Sequence, residues 1–329
     1  MKTPSLIKVM GTAMAILLMG GMSASLAQSL DYQNYNAIIF NDLKTTSDVE
    51  GRTFVGNDFT GTNSANFGNH LKNTTASSDR SLVIGGDLVS GNPLNLQRGS
   101  LYIGGSTNGR IINFNGGGSV VSDGSIGDQL SAIQDYSIAQ SMALQNLASD
   151  SSVTLPGGGQ PGPTKFFATA GLDGLAVFHV NAADIFSNPL GQQFELLPDS
   201  HTQNIVINVS GTSVNWTQGN MVGQFDSNYW QGRLMWNFTE ATSINLGSFN
   251  FKGAILAPFA SITTSGNIDG LVVANNLTTT AEVHLPDSNS LTGYAFEGYL
   301  APVPEPGSVI FLVAAAGVIL ISRNRRLWV

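Results

Sequence analysis

Glu282 and His284 are separated by one residue, and in an extended strand positions i and i+2 face the same side. A carboxylate beside an imidazole can form an ion pair, relay a proton or contribute to a metal site, and the ion pair is the ordinary outcome. The other histidines, His70, His179 and His201, show no H-x-H or H-E-x-x-H spacing, so a histidine-rich metal centre is not expected. Asp58 and Asp87 hold equivalent places in Phe54-Val55-Gly56-Asn57-Asp58-Phe59 and Val83-Ile84-Gly85-Gly86-Asp87-Leu88. Stacked carboxylates there would bind Ca²⁺ through oxygen or satisfy backbone N–H groups in turns. The turn role is favoured, because nonapeptide Ca²⁺ repeats are missing. No other cofactor is expected. Cys is absent, which excludes disulfides, thiolate metal sites and Cys nucleophiles. Gly157-Gly158-Gly159-Gln160-Pro161-Gly162 has the letters of a nucleotide-binding loop, but its prolines deny it a helix start. With no G-x-S-x-G elbow and no Walker lysine motif either, the chain is read as a non-enzyme without catalytic residues.

Charge narrows the partners. All 22 acidic residues but only nine of the 14 basic ones lie between positions 28 and 306, a local balance of −13 within a chain of −8. Such a surface repels phosphate backbones, so nucleic acid is not an expected partner. The 42% hydrophobic content argues against disorder.

The elements that must carry these residues are short. Asn36–Phe40, Thr53–Val55, Ser81–Ile84, Ser100–Ile103 and Arg110–Phe114 are β-branched or aromatic runs between Gly, Asn and Asp. A strand-Gly-Gly turn recurs at offsets of 29 and then 19 residues, and uneven rungs of this kind suit a β-solenoid. Residues 126–148 change period. Leu130, Ile133, Tyr136, Ala143, Leu144 and Leu147 fall at helical spacing, which predicts one helix of about 20 residues, capped by Asp128, with its apolar stripe on the sheet. The Gly/Pro break at 155–163 reads as a linker, and strand-like runs resume from Leu175–Val180 to Gly270–Ala274. The expected fold is mostly β: a right-handed β-solenoid, a β-helix-like single domain over 28–300, with one long flanking α-helix. Leu256 and at least one of Trp236 and Phe238 are expected to be buried between rungs. Thr263-Thr264-Ser265 and Thr278-Thr279-Thr280 suit a ligand-binding sheet face or a solvated strand edge equally well.

Both ends read as addresses. Lys2 and Lys8, the apolar Val9–Met22 and the small-x-small Ser25-Leu26-Ala27 make residues 1–27 a signal peptide, cleaved between Ala27 and Gln28. At the other end the apolar Val309–Ile321 precedes Arg323, Arg325 and Arg326. A helix over about 307–322 would rise about 24 Å, slightly less than a hydrocarbon core of about 30 Å. It is expected to be a transmembrane segment with its arginines in the cytoplasm. Val303, Pro304, Glu305 and Pro306 form an extended stretch just before it. Residues 302–326 resemble the PEP-CTERM sorting signal of Gram-negative bacteria. The resemblance implies an exosortase-type sorting enzyme as partner, contact with the membrane through the C-terminal helix, and an envelope associated with exopolysaccharide.

The body carries a second resemblance. Tyr35-Asn36, Ser47–Arg52, Asn208-Val209-Ser210-Gly211, Trp236–Thr242, Phe251–Pro258 and Gly266–Ala274 are together similar to the choice-of-anchor A domain, and the likeness spans roughly residues 33–295. It implies an adhesive module on the cell surface or in the extracellular matrix, contacting exopolysaccharide or other envelope material. Two alternatives stay open: a carbohydrate-active β-solenoid enzyme, which needs clustered carboxylates in a groove, and an ice-binding-type surface protein, which needs a regular Thr face.

Overall fold

Hydrogen bonds between rungs, rather than along the chain, organise this protein. The computed structural model describes residues 32–61, 63, 65–71, 79–89, 91–286 and 295–303. Ten strands of a fourteen-stranded sheet form one path: Val120–Ser122, Ser100–Ile103, Arg80–Ile84, Arg52–Val55, Tyr35–Ile39, Val272–Thr279, Ala254–Thr264, Leu234–Asn237, Asn204–Ser210 and Leu175–Asn181. Every neighbouring pair along it is parallel. The spatial order differs from the chain order. The chain enters mid-stack with Tyr35–Ile39, builds outward to Val120–Ser122, and returns as a helix. It then restarts at the far end with Leu175–Asn181 and winds back until Val272–Thr279 pairs with Tyr35–Ile39. Two three-stranded sheets and one four-stranded sheet accompany the main one. The protein is thus mostly β, with parallel sheets and few helices, and Tyr32–Pro302 form one unit.

The recurrent glycines have a steric cause. A Cβ on Gly85 would lie 2.1 Å from the Gly56 carbonyl oxygen of the rung below, and one on Gly86 would lie 2.3 Å from Asp58 Oδ1. Stacked turns approach too closely there for any side chain.

The long helix is Ile126–Gln145. At about 30 Å, over rungs about 4.8 Å apart, it spans six or seven of them. Its start lies over Gly85 and Gly56, where Ile126 and Leu130 pack. Toward its end Asn208 Nδ2 donates to the Leu144 carbonyl at 2.9 Å, and just beyond it His179 Nε2 stands 2.8 Å from the Leu147 carbonyl. Asp128 is not the cap. Ser125 occupies that position, held by Asp123 Oδ1, which accepts from its N–H and its hydroxyl; Asp128 lies in the first turn, where a negative charge suits the helix dipole. The buried face also differs from the expected apolar stripe. It comprises Ile126, Ile133, Ser137, Gln140, Ser141 and Leu144, while Leu130, Tyr136, Ala143 and Leu147 are half-buried.

The reason lies in the sheet row beneath. In register, His179, Asn208, Asn237, Leu256, Val273, Ile38, Phe54 and Val83 form a single row across eight rungs. Its middle is apolar, but its Asn208–Asn237 end is polar and buried. Ser141 Oγ donates to Asn237 Oδ1 at 2.6 Å, and Asn237 Nδ2 donates to Asn208 Oδ1 and the Ser141 carbonyl, both at 2.8 Å. Gln140 pairs through both amide groups with the backbone of Ala301, fastening the 295–303 segment to the helix. Leu256, Trp236 and Phe238 are all fully buried, as expected. Leu256 sits on the helix-facing row. Trp236 points to the interior, where its ring lies 5.7 Å from Phe166 and Phe186 and 5.5 Å from Phe251.

The Gly/Pro stretch is no linker. It closes a hairpin between Ser152–Thr154 and Gly162–Ala168, the one antiparallel pair among the described strands, with Gly158 and Gly159 at φ 65° and 72° in its turn. Among the described residues no helix is long and apolar enough to cross a membrane. The expected signal peptide and the expected apolar helix at 307–322 lie outside the described residues.

Candidate functional site

Three short strands, Phe251–Lys252, Ile268–Asp269 and Val283–His284, stack in parallel with Lys252, Asp269 and His284 in register. Val49 bridges both Val283 and Phe67, so Glu50 comes next to His284 and is followed by His70. The result is a row of alternating charge types on consecutive rungs. Lys252 Nζ bonds Asp269 Oδ2 and lies 2.7 Å from Asp226 Oδ1. Asp269 Oδ1 stands 2.7 Å from His284 Nδ1, and Glu50 Oε2 stands 3.0 Å from His70 Nδ1. Glu282 flanks the row, with Oε2 2.8 Å from His284 Nε2. These side chains, Glu282 apart, line an open polar cleft of about 250 Å³.

Electrostatics favours the charged forms of Lys252, Asp269 and His284. The Asp269 hydrogen bond first, with help from Glu282, outweighs the opposing effect of burial and pushes the His284 imidazole up to about 9. Burial alone would raise the Asp269 carboxyl, but hydrogen bonds from His284 and Lys252 hold it below the usual carboxylate range. Burial likewise opposes the Lys252 charge, and Asp226 and Asp269 outweigh it, pushing the ammonium up.

The i, i+2 reading of Glu282 and His284 therefore found two members of a larger group. It missed Glu50, Lys252 and Asp269, although a signal was present. Lys252-Gly253, Asp269-Gly270 and His284-Leu285 follow buried Phe251, Ile268 and Val283 at offsets of 17 and 15 residues, one rung each. The pairing of Glu50 with this rung joins residues more than 230 apart, which no local pattern reveals.

Asp58 and Asp87 do stack, and their carboxylates hold the next rung. Asp58 Oδ1 accepts the Asp87 N–H at 2.8 Å, and Asp87 Oδ1 accepts the Ser106 N–H at 2.7 Å. Asp42 does the same one rung earlier, accepting from Asn57 Nδ2 at 2.8 Å. Of the tail motif only Val303 is described, and it is half-buried. Ala27, Gln28, Pro304, Glu305, Pro306, Arg323, Arg325 and Arg326 lie outside the described residues.

A second arrangement joins the two Thr segments. Buried Val214, Ile244, Ile262, Leu277, Leu43 and Phe59 align on six consecutive rungs. The outward positions on either side form two rows. One runs Ser213, Ser243, Ser261, Asn276; the other runs Asn215, Asn245, Thr263, Thr278, Lys44, Thr60. All are exposed except the half-buried Asn276 and Thr60. Hydroxyls and amides therefore repeat about every 4.8 Å along the stack and about 6.6 Å across it. Several amides are fixed by the neighbouring rung: Asn245 Nδ2 donates to Asn215 Oδ1 and Asn276 Nδ2 to Ser261 Oγ, each at 3.0 Å.

Comparison with curated protein sequences gives no match. Among solved structures the chain is similar to an ice-binding protein from the Antarctic ascomycete Antarctomyces psychrotrophicus, at 12% identity and a TM-score of 0.29, over 76% of this chain and 93% of that one. A family model described as "Putative Ice-binding-like adhesive domain" matches residues 29–285. Spanning most of the sequence, that match identifies the chain as a member of the ice-binding-like adhesive domain family.

Proposed function

We propose that this protein is an exported, non-enzymatic adhesive domain that contacts exopolysaccharide or other envelope material through its two-row polar face. The carrying observation is the repeat of exposed Ser, Thr and Asn on four consecutive rungs above a buried apolar row. A polymer with regularly spaced hydroxyls meets a matching array of donors and acceptors there, each contact weak but many made together. We read the rung stack as a right-handed β-solenoid of the choice-of-anchor A type, needing no cofactor for this contact. The carboxylate cleft does not favour a glycosidase. A general acid of that class needs a carboxyl with a raised pKa, whereas Asp269 is held low by its basic neighbours. The decisive assay is retention of the full chain on exopolysaccharide. Thr263→Ala with Thr278→Ala should lower retention several-fold while leaving the fold intact, and unchanged retention would end this reading. A second reading draws on the same array: a regular hydroxyl face can also order water as an ice surface does. Inhibition of ice recrystallisation that is lost in the same double variant, without polysaccharide retention, would favour it.

The termini supply the address in this proposal. The N-terminal segment directs export, the 302–326 tail holds the protein in the inner membrane of a Gram-negative cell, and an exosortase-type enzyme recognises Pro304-Glu305-Pro306. Replacing those three residues by Ala should leave export and insertion intact and block processing, as read by fractionation and mass spectrometry of the mature C-terminus. Processing of the triple variant like the wild type would reduce the motif to a spacer.

A further inference from the structure

We propose that Glu50, Glu282 and His284 form a binding site for a divalent cation of the Zn²⁺ type, with Asp269 as its orienting partner. One ligand atom from each of the three residues lies within 4.8 Å of the others. One imidazole nitrogen with two carboxylate oxygens is a borderline donor set suited to Zn²⁺ rather than to the all-oxygen cages of Ca²⁺ or Mg²⁺. The ion takes the place of the proton between His284 Nε2 and Glu282 Oε2, which is released to solvent, and the separation of these atoms must grow from 2.8 Å by about half an ångström to admit it at its usual bond lengths. Glu282 is partly exposed and can make that shift.

Two further observations point to a ligand. The opposite ring nitrogen, His284 Nδ1, bonds to Asp269 Oδ1, and Lys252 engages the other oxygen of the same carboxylate. Asp269 is thus fixed as the group that sets the tautomer and angle of a metal-binding imidazole, the usual arrangement around such ligands. The second concerns Glu50, whose side chain is 9% exposed. Its hydrogen bond from the Leu285 N–H at 2.7 Å and its contact with His70 both fall on Oε2. Among the described residues Oε1 accepts no hydrogen bond, so a carboxylate that is mostly buried keeps one oxygen open to the solvent-filled cleft for a cation. Water from the cleft would complete the coordination.

The location gives the ion a consequence. Glu50 follows the first rung of the chain, while Glu282 and His284 belong to the last, and the two rungs meet at the seam where Tyr35–Ile39 pairs with Val272–Thr279. A cation there clamps the beginning of the domain to its end, and binding to the folded state alone raises stability with concentration. This inference does not depend on the polar face.

The test is calorimetric titration of ZnCl₂ into the full chain after chelator treatment, with the thermal midpoint followed alongside. One Zn²⁺ per chain and a midpoint that rises with Zn²⁺ concentration are expected. Glu282→Gln, at a partly exposed position, should weaken affinity at least about tenfold, and Asp269→Asn about 10–100-fold. Asp226→Asn, which faces the cleft but supplies no ligand, should titrate like the wild type. Absence of Zn²⁺ uptake by the folded wild type, or a Glu282→Gln isotherm identical to it, would overturn the site.

Discussion

Asn208 and Asn237 under the helix, and Asn215 and Asn245 on the open face, are the same residue type stacked on consecutive rungs. Each pair makes the same amide-to-amide hydrogen bond, at 2.8 Å under the helix and 3.0 Å on the face. Their surroundings differ. The first pair is buried, and its further polar contacts are made with Ser141, Leu144, Thr239 and His179. The second pair is exposed. A polar ladder that is covered becomes an adhesive within the molecule, and one left uncovered is available to something outside it. The physical reason is that a satisfied polar group costs little to bury, while an orphaned one costs the full desolvation penalty.

This contrast can be broken at graded strength. The largest effect belongs to Leu256, next to Asn237 on the helix-covered row. Leu256→Ala should cost about 2–5 kcal/mol in urea denaturation, and a loss below about 0.5 kcal/mol would place it in a surface environment. Asn237→Ala comes next. It strands Asn208 Oδ1 and the Ser141 hydroxyl at once, and should cost about 1–3 kcal/mol. On the open face, Thr278→Ala alone should change stability by no more than about 0.5 kcal/mol. A larger loss would mean that the face is structural after all.

The smallest effect lies outside both ladders, at Asp199. The Thr202 hydroxyl, aided by the N–H groups of His201, Thr202 and Ala170, holds this carboxyl below its usual value. A depressed folded pKa means that the stabilisation is present above the unfolded value, about 3.9, and is lost as pH falls through the folded one. Thr202→Val should therefore lower stability slightly at neutral pH, and the difference from the wild type should shrink as pH falls below about 3.9. A stability difference that persists unchanged into acid, or none at neutral pH, would deny the hydroxyl that role.

Local physics was legible in the sequence, and long-range pairing was not. The helix was placed within three residues of its observed end, because Ile133, Leu144 and their neighbours keep a 3.6 period. Its cap and buried face were not. Gln140 and Ser141 face inward because the Ala301 backbone and Asn237 wait beneath them, at separations of 161 and 96 residues, and the Ser137 hydroxyl is satisfied by the Ile133 carbonyl. The strand-Gly-Gly turns were readable since a Cβ at Gly85 or Gly86 would collide with the next rung. The entry of the chain at mid-stack was not, for it rests on Tyr35–Ile39 pairing with Val272–Thr279. The cleft shows the same division: Glu282 and His284 are two residues apart and were found, while Glu50 reaches them only through that seam.

The contrast between the covered and the open ladder is tested most directly by measuring stability and exopolysaccharide retention together on Asn237→Ala and Asn245→Ala in the full chain. The account predicts a crossed result. Asn237→Ala loses about 1–3 kcal/mol and keeps its retention at a temperature where it is folded, while Asn245→Ala keeps its stability and loses retention. Equal behaviour of the two variants, or a destabilised Asn245→Ala with full retention, would contradict it.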